Sequence, residues 1–453
     1  MNIAAIRGIE KLGIFKWVAF ALCALLLVQG QLRTVLGEVE RFGHLADFVR
    51  SEWVGTNFWL EAAECARLRG AWLSMCEGDR LVPFSERSIG DDPGHALILS
   101  IWSRLGDRVM SLTDIARLNI GLNTLGLVML ASFLFALRAY LASILLLALG
   151  PVEYLGWMGL SPHWSFIGVV SMAAILPMAL VAREEGLLPG RSGFAFVAMG
   201  LASLALAALV REAIGIMACL VSLGAVATMA WRRLRTRRTL LGPIVVAVSI
   251  VVAATAAQWV VVARDATFAM EPAVHRPTHG LSHTLYIGLG FVPNRFGIRY
   301  EDEFAAAAVK KIAPDALYCS PEYFRVLWML YIDHLVGDPG EVARIYFEKA
   351  RMLFAAQTIQ PGPTIGVALA IAAGHLFFAA LLGLWGRIGF RQGLIVETVA
   401  LAFAGFFVVQ SILALPQQLY VLPVNAFLLV LFGVILEFIC RSIWRVLAWH
   451  ASW

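Results

Sequence analysis

Apolar runs of about twenty residues recur along this chain, each long enough for a helix to cross a hydrocarbon core roughly 30 Å thick. A segment in that core must satisfy its backbone N–H and C=O groups internally, which leaves helices or closed barrels. A barrel would show short segments of alternating hydrophobicity. The runs here are continuous, so helical spans are expected. Composition agrees: 60% of residues are hydrophobic and 15% charged, with a mean hydropathy of +0.77, against roughly a quarter charged in soluble domains. The expected fold class is an all-α polytopic membrane protein.

Ten spans are expected, near 13–30, 116–137, 139–157, 164–182, 194–210, 213–231, 241–262, 364–385, 394–413 and 419–440. They divide the chain into a first transmembrane helix (1–30), a first extracytoplasmic segment with interfacial helices (31–115) and transmembrane helices 2–7 (116–262). A second extracytoplasmic segment (263–363) follows, then helices 8–10 and a cytoplasmic tail (364–453). The first run follows Arg7, Lys11 and Lys16, is longer than a signal-peptide core and precedes no small-residue cleavage site. It reads as a retained helix with a cytoplasmic N-terminus.

Lys and Arg in short loops are held on the cytoplasmic side, and every second connection here is basic. Arg138, Arg183 with Arg191, the cluster "RRLRTRR" (232–238), Arg387 with Arg391, and Arg441 with Arg445 all fall on the N-terminal side. That agreement requires 194–231 to be two helices broken around "VREA" (210–213), with Arg211 and Glu212 at the outer surface. A single long helix there would put the basic cluster outside. Topology thus accounts for the net charge of +5, and no nucleic-acid partner is inferred from it.

Of six cysteines, Cys23, Cys219 and Cys440 sit in spans as small apolar fillers. Cys65, Cys76 and Cys319 lie in the outer segments. An oxidising compartment would allow a Cys65–Cys76 bridge with Cys319 left over, although sequence alone does not fix the pairing. No CxxC-type metal spacing is present.

The first outer segment contains "DDPGHALILSIWSRL", in which a short helix opens at Asp91 and Asp92. Its apolar positions nearly surround it, which suits the membrane interface. Asp92 followed by Pro93 is a standard helix opening, because the carboxylate accepts backbone N–H bonds while proline fills the first helical position. The chain repeats the device at Asp338 in "GDPGEVARIYF". One cap suffices, so Asp91 is surplus. It is either a solvated loop acid or a general base towards an acceptor hydroxyl. "SLTDIARLNIGL" (111–122) then starts the second span, with Ser111 or Thr113 initiating and Asp114 in the first turn.

The second outer segment begins "HRPTHGLSHTLYIGLGFVPNRFGIRYEDEF" (275–304), expected to be a loop because of its glycines, Pro293 and Asn294. Helical patterns follow at about 301–312, 321–335 and 339–356. His275, His279 and His283 are four apart, a spacing that would line one helix face for a metal. Pro277 and Gly280 interrupt such a helix, so polar loop histidines are the default and no metal ligands are assigned. Cations able to hold a phosphate are Arg211, Arg276, Arg295 and Arg299. Arg211 stands out because a charge between two apolar helices is costly, with an ion pair to Glu212 or snorkelling as the plain alternative. His95 and His163, in "SPHWSF", are further candidate substrate contacts. Glu397, one turn from the cytoplasmic end of its span, is expected to snorkel.

Taken together, this pattern resembles the GT-C superfamily of polyprenyl-phosphate-sugar-dependent glycosyltransferases, which includes protein O-mannosyltransferases and lipid A aminoarabinose transferases. "DDPGHALILSIW" is similar to the loop acid pair and following helix of that family, with Asp91 in the first acid position and Asp92 in the second. "LAALVREAIG" (206–215) is similar to its basic-acidic stretch between mid-chain helices. "LPQQLYVLPVNAFLLVL" (415–431) is similar to its late Arg-Tyr-x-x-Pro motif, with Tyr420 and Pro423 in register. The arginine of that motif is Leu419 here, preceded by Gln417 and Gln418, so another cation would have to take its part.

The resemblance implies inverting transfer of a sugar from a polyprenyl-phosphate donor to a glycan, lipid or protein acceptor on the outer face. Asp91 and Asp92 would be catalytic, and Arg211, Arg276, Arg295 and Arg299 would hold donor phosphate. His95, His163, Glu212, Gln418 and Tyr420 would contact substrate. No cofactor is required, and a divalent metal is left open. The implied location is a bacterial inner membrane, with the site facing the periplasm. Rival readings are a lipid-linked glycan transporter or flippase, a polysaccharide polymerase or ligase, and a non-catalytic assembly subunit. A transporter would place ionisable groups near the bilayer midplane, and the spans carry few.

Overall fold

Helices dominate the structure, a computed structural model. It describes residues 17–18, 20–26, 28–30, 33, 54–84, 93–149, 163–188, 190–270, 279–356, 363–416 and 418–450. The unit expected on the outer face from sequence, called the first outer unit for that expectation as the later one is the second, comprises α1 (Val54–Arg69), an antiparallel hairpin of β1 (Ser74–Glu77) and β2 (Arg80–Pro83), and α2 (Pro93–Gly106). The membrane part follows as α3 (Leu112–Ala136), α4 (Tyr140–Leu149), α5 (His163–Ala173), α6 (Ile175–Glu184), α7 (Gly190–Val210), α8 (Glu212–Arg235), α9 (Leu241–Ala254) and α10 (Ala256–Phe268). The second outer unit holds α11 (Gly280–Gly288), α12 (Asp302–Ile312), α13 (Pro321–Gly337) and α14 (Pro339–Ala355). Then come α15 (Ile365–Leu381), the short α16 (Leu384–Arg387), α17 (Arg391–Leu413) and α18 (Gln418–His450).

Six helical stretches are long and apolar enough to cross a membrane: α3, Phe166–Glu184 through α5 and α6, α7, α8, α17, and Pro423–Leu447 within α18. The bent pair α9–α10 makes seven if it counts as one span. The chain is an all-α membrane protein with six or seven candidate spans among the described residues, fewer than the ten expected. The run expected at 139–157 is described only as the ten-residue α4, that at 364–385 as the 17-residue α15, and that at 13–30 as helical residues between 17 and 30. The span expected at 241–262 is bent by 59° at Thr255. The Thr255 hydroxyl donates to the carbonyls of Val251 (2.9 Å) and Val252 (3.2 Å), a back-bond that pulls a helix off axis.

The break at "VREA" is borne out, because α7 and α8 run antiparallel and only Arg211 lies between them. Where α8 ends, Arg233 pairs with Glu184 at 3.0 Å and Arg232 with Glu185, just beyond α6 and before α7 begins. Phe133, near the end of α3, packs against Phe196 in the first third of α7. Arg441 donates to the carbonyl of Arg138 and stacks on Phe390, the residue before α17. The basic connections therefore gather at one end of the bundle. At the opposite end lie Arg211, the first outer unit and the second.

Both outer units are fastened to the bundle by buried cations. Arg264, 1% exposed at the far end of α10, donates to the carbonyl of Leu73 and pairs with Asp265. Lys349 of α14 is fully buried and donates to three carbonyls, Gly288 at 3.0 Å, Leu413 at 3.0 Å and Ala414 at 2.8 Å, which ties the second unit to the end of α17. Such fully satisfied groups hold position because separation would strand them. A Cys65–Cys76 disulfide joins α1 to β1, as the compartment argument allowed. Cys319 stands outside it, buried in the second unit.

Two expectations are corrected. The stretch 275–304 is not all loop, since α11 and a 3-10 turn at Leu289–Phe291 occupy 280–291. Leu285, Tyr286, Ile287 and Leu289 supply a buried face there, and burial outweighs the local glycines. Glu397 does not snorkel. It is fully buried, with Oε1 2.8 Å from His375 Nδ1, within a surround that includes Trp385 and Phe438. Other openings are as expected: α14 starts at Pro339 with Asp338 Oδ1 accepting from Glu341 N, and α3 starts with Asp114 Oδ2 accepting from the backbone and hydroxyl of Ser111.

The bundle closes where α3 crosses α5. A Cβ on Gly126 would stand 1.9 Å from the carbonyl oxygen of Gly168, and one on Gly168 would stand 2.3 Å from that of Leu122. Two backbones in contact leave no room for a side chain. Gly126→Ala should cost about 3 kcal/mol or more. Gly224→Ala, where a Cβ meets nothing within 4 Å, should stay within about 0.5 kcal/mol. Denaturant titration in detergent compares the two.

Candidate active site

The outer end of the bundle is organised by one close approach. Gly94, second residue of α2, lies against the last turn of α7 so tightly that a Cβ would come within 2.7 Å of the carbonyl carbon and oxygen of Leu209. Leu209 is two residues before Arg211. Arg211 adopts an extended conformation (φ −157°, ψ 111°), and its carbonyl accepts from the amides of Ile214 and Gly215 to start α8. A Cβ on Gly215 would be 2.6 Å from Ala208 Cα, so the two helices touch immediately beyond the hinge. The Arg211 guanidinium lies 5.6 Å from the centre of the Phe166 ring, within cation–π range. Phe166 is in the first turn of α5, three residues after His163. Gly94 of α2 and Phe166 of α5 thus both come against the stretch from Leu209 to Arg211.

Asp91, Asp92 and Arg276 lie outside the described residues, as does His275. The α2 helix is described from Pro93 onward, so the Asp92 cap expected before it also lies outside the described residues. His163 begins α5, and Gln418 and Tyr420 begin α18 at the same end of the bundle, but their side chains lie outside what is described. Glu212 is partly buried in the first turn of α8 beside Arg211.

His95 supports the site from beneath. It is fully buried, its Nε2 lies 2.9 Å from Asn119 Oδ1 on α3, and its ring stacks on Trp59 of α1 at 4.5 Å. Burial lowers its pKa to about 4 despite the Asn119 hydrogen bond. It is a neutral bracket between the first outer unit and α3, which differs from the substrate contact expected.

Arg295 and Arg299 occupy a loop of the second outer unit, and both side chains are exposed. The loop is held rigidly: Asn294 bridges Val292 and Ile298, the Arg295 amide donates to Glu341 Oε1 at 2.9 Å, and Gly290 packs on the Arg299 backbone. An apolar groove of about 510 Å³ runs between α2 and α3, lined by residues including Ile98, Ile101, Trp102, Leu105 and Leu122, with Arg117 at its edge. It starts little more than one turn from the acid-bearing end of α2.

A second cluster of polar side chains lies in the second outer unit. His283, in the first turn of α11, is 1% exposed and places Nε2 3.1 Å from Asp302 Oδ1 and Nδ1 2.8 Å from the Tyr323 hydroxyl. His279, just before α11, places Nε2 3.4 Å from Asp302 Oδ2 and stacks on His283 at 4.7 Å. Hydrogen bonds from His279 and then His283 hold the Asp302 carboxyl far below the usual carboxylate range, and burial pushes the Tyr323 phenol up.

No family model matches the chain, and neither the curated proteins nor the solved structures include a match.

Sequence reasoning passed over Asp302, although it stands in the quoted run "RYEDEF", because three acids within it offered nothing to tell them apart. It also passed over Asn119 and Trp59, which no spacing relates to His95; only the fold brings them together. The burial of His95 has a consequence for pH. Its folded pKa of about 4 lies below the unfolded value near 6.5, so the unfolded chain binds more protons between the two. Stability should be greatest above pH 6.5 and fall as pH drops towards 4, by up to roughly 3 kcal/mol from this group. His95→Gln should flatten that part of the dependence, as read from thermal unfolding between pH 7 and 4.5.

Proposed function

We propose that the protein is a membrane glycosyltransferase that moves a sugar from a polyprenyl-phosphate donor to an acceptor hydroxyl on the outer face, with inversion. The observation that carries this reading is the seating of Gly94 on Leu209. It brings the peptide that follows Asp91-Asp92 to within two residues of Arg211, from a distant part of the chain. A carboxylate from that peptide, acting with the Arg211 guanidinium, would suit transfer from a lipid phosphate. The apolar groove along α2 and α3 supports the reading, because it offers a hydrocarbon chain a path beside the same helix. The exposed apolar side chains of Ile101 and Leu105 on α2 fit a helix that lies in the interface.

In this reaction Asp91 takes the proton of the acceptor hydroxyl as its oxygen attacks the anomeric carbon. The bond from that carbon to the phosphate oxygen breaks, and its electron pair leaves with the polyprenyl phosphate. The leaving phosphate needs no proton at neutral pH but does need a cation, a part given to Arg211. Arg276, Arg295 and Arg299 would extend the positive field from the second outer unit, and Glu212, His163, Gln418 and Tyr420 would contact sugar or acceptor. The acceptor is a glycan, lipid or protein bearing a free hydroxyl, and the site faces the periplasm of a bacterial inner membrane.

One observation favours a second reading, a transporter of lipid-linked glycan. Glu397 is buried inside the bundle and paired with the half-buried His375, and intramembrane ionisable pairs mark proton pathways in carriers. Purified protein in vesicles, given a polyprenyl-phosphate sugar and an acceptor, separates the two. Under the transferase reading Asp91→Asn cuts transfer at least a hundredfold with unchanged thermal unfolding, and Glu397→Gln leaves transfer within a few-fold. Wild-type turnover in Asp91→Asn would overturn the assignment of the base.

A further inference from the structure

We infer that His279, His283 and Asp302 form a binding site for one divalent transition-metal ion of the zinc class, in the second outer unit. The inference is independent of glycosyl transfer. It rests on three ligand atoms that lie within 4.8 Å of one another.

The chemistry of the set is specific. Two imidazole nitrogens and one carboxylate oxygen suit zinc and its neighbours, and suit magnesium or calcium poorly, since those prefer all-oxygen surrounds. The spacing is close to what such an ion imposes. With metal–ligand bonds of about 2.0–2.1 Å in tetrahedral geometry, ligand atoms stand about 3.3 Å apart. His283 Nε2 stands 3.1 Å from Asp302 Oδ1 and His279 Nε2 3.4 Å from Asp302 Oδ2, so a small turn of the carboxylate and closure of the imidazoles, from atoms already within 4.8 Å of one another, would complete the set.

The surround is also that of a ligand set. His283 is gripped through its other ring nitrogen by the buried Tyr323 hydroxyl, the kind of outer partner that fixes a ligating imidazole. When Nε2 turns its lone pair to the metal, the proton it carried in the pair with Asp302 sits on Nδ1 and is donated to the Tyr323 oxygen. No proton is lost from neutral His283. His279 is 28% exposed and Asp302 49%, whereas His283 is enclosed. An ion would therefore have a closed side and a side open to solvent, leaving a fourth position for water or another ligand. The even spacing of His275, His279 and His283 does not name this set, because the third ligand is Asp302, 19 residues beyond His283.

The full-length protein, purified without a polyhistidine tag, is titrated with Co2+ and then Zn2+. The expected result is one equivalent of Co2+ with the intense visible absorption of tetrahedral coordination, displaced by Zn2+, and a Zn2+-dependent rise in melting temperature. His279→Gln and Asp302→Asn, both at partly exposed positions, should weaken binding at least tenfold, with the Zn2+-induced rise of each variant read against its own metal-free melt. Tyr323→Phe should weaken it about tenfold without changing the stoichiometry. The site is overturned if wild type binds no tighter than His279→Gln and Asp302→Asn, or if the Zn2+-induced rise persists in both variants.

Discussion

The hinge at Arg211 is the constraint on which the rest of the arrangement depends. A charged residue cannot sit between two apolar helices in hydrocarbon without cost, and here the chain turns back at that residue. The turn requires α7 and α8 to touch immediately beyond it, which Gly215 permits by lying against Ala208. It also requires that nothing bulky occupy the outer flank of α7, which Gly94 fills with bare backbone. Reversal of the chain at this point keeps the later basic connections on the same end as the earlier ones.

Charge is distributed over the bundle accordingly. At the basic end, ion pairs such as Arg233–Glu184 and Arg441–Glu437 link neighbouring segments or cap the end of a helix. At the other end the buried cations Arg264 and Lys349 are spent on backbone carbonyls, and so serve to seat the two outer units. Arg211 differs from both sets in being half-buried at a convergence of three segments, with an aromatic face beside it. That setting is why donor phosphate is assigned to it first.

Much of the fold was legible because hydrophobic period and charge placement act locally. The break at 210–213, the Pro-led start of α14, and the Ser111–Asp114 start of α3 all follow from residues within one turn of each other. The Thr255 bend and the helix at 280–288 were not legible, since one depends on a hydroxyl choosing its own helix and the other on a partner surface elsewhere in the chain. The candidate site was legible as residue types but not as a place. Nothing in "DDPGH" tells that it packs on "ALVRE", and nothing near His95 names Asn119 or Trp59. Glu397 shows the limit from the other side: position along a span predicted an end-of-helix acid, and packing buried it against a histidine.

The central proposal is that the chain reverses at Arg211, so that the arginine faces the outer side while the basic cluster faces inward. Single cysteines at Ala213 and Thr236, in a background lacking the four cysteines outside the disulfide, test this with a membrane-impermeant thiol reagent on right-side-out vesicles. The account predicts labelling at 213 and none at 236 until the membrane is permeabilised. Equal labelling at both, or labelling at 236 alone, would contradict it.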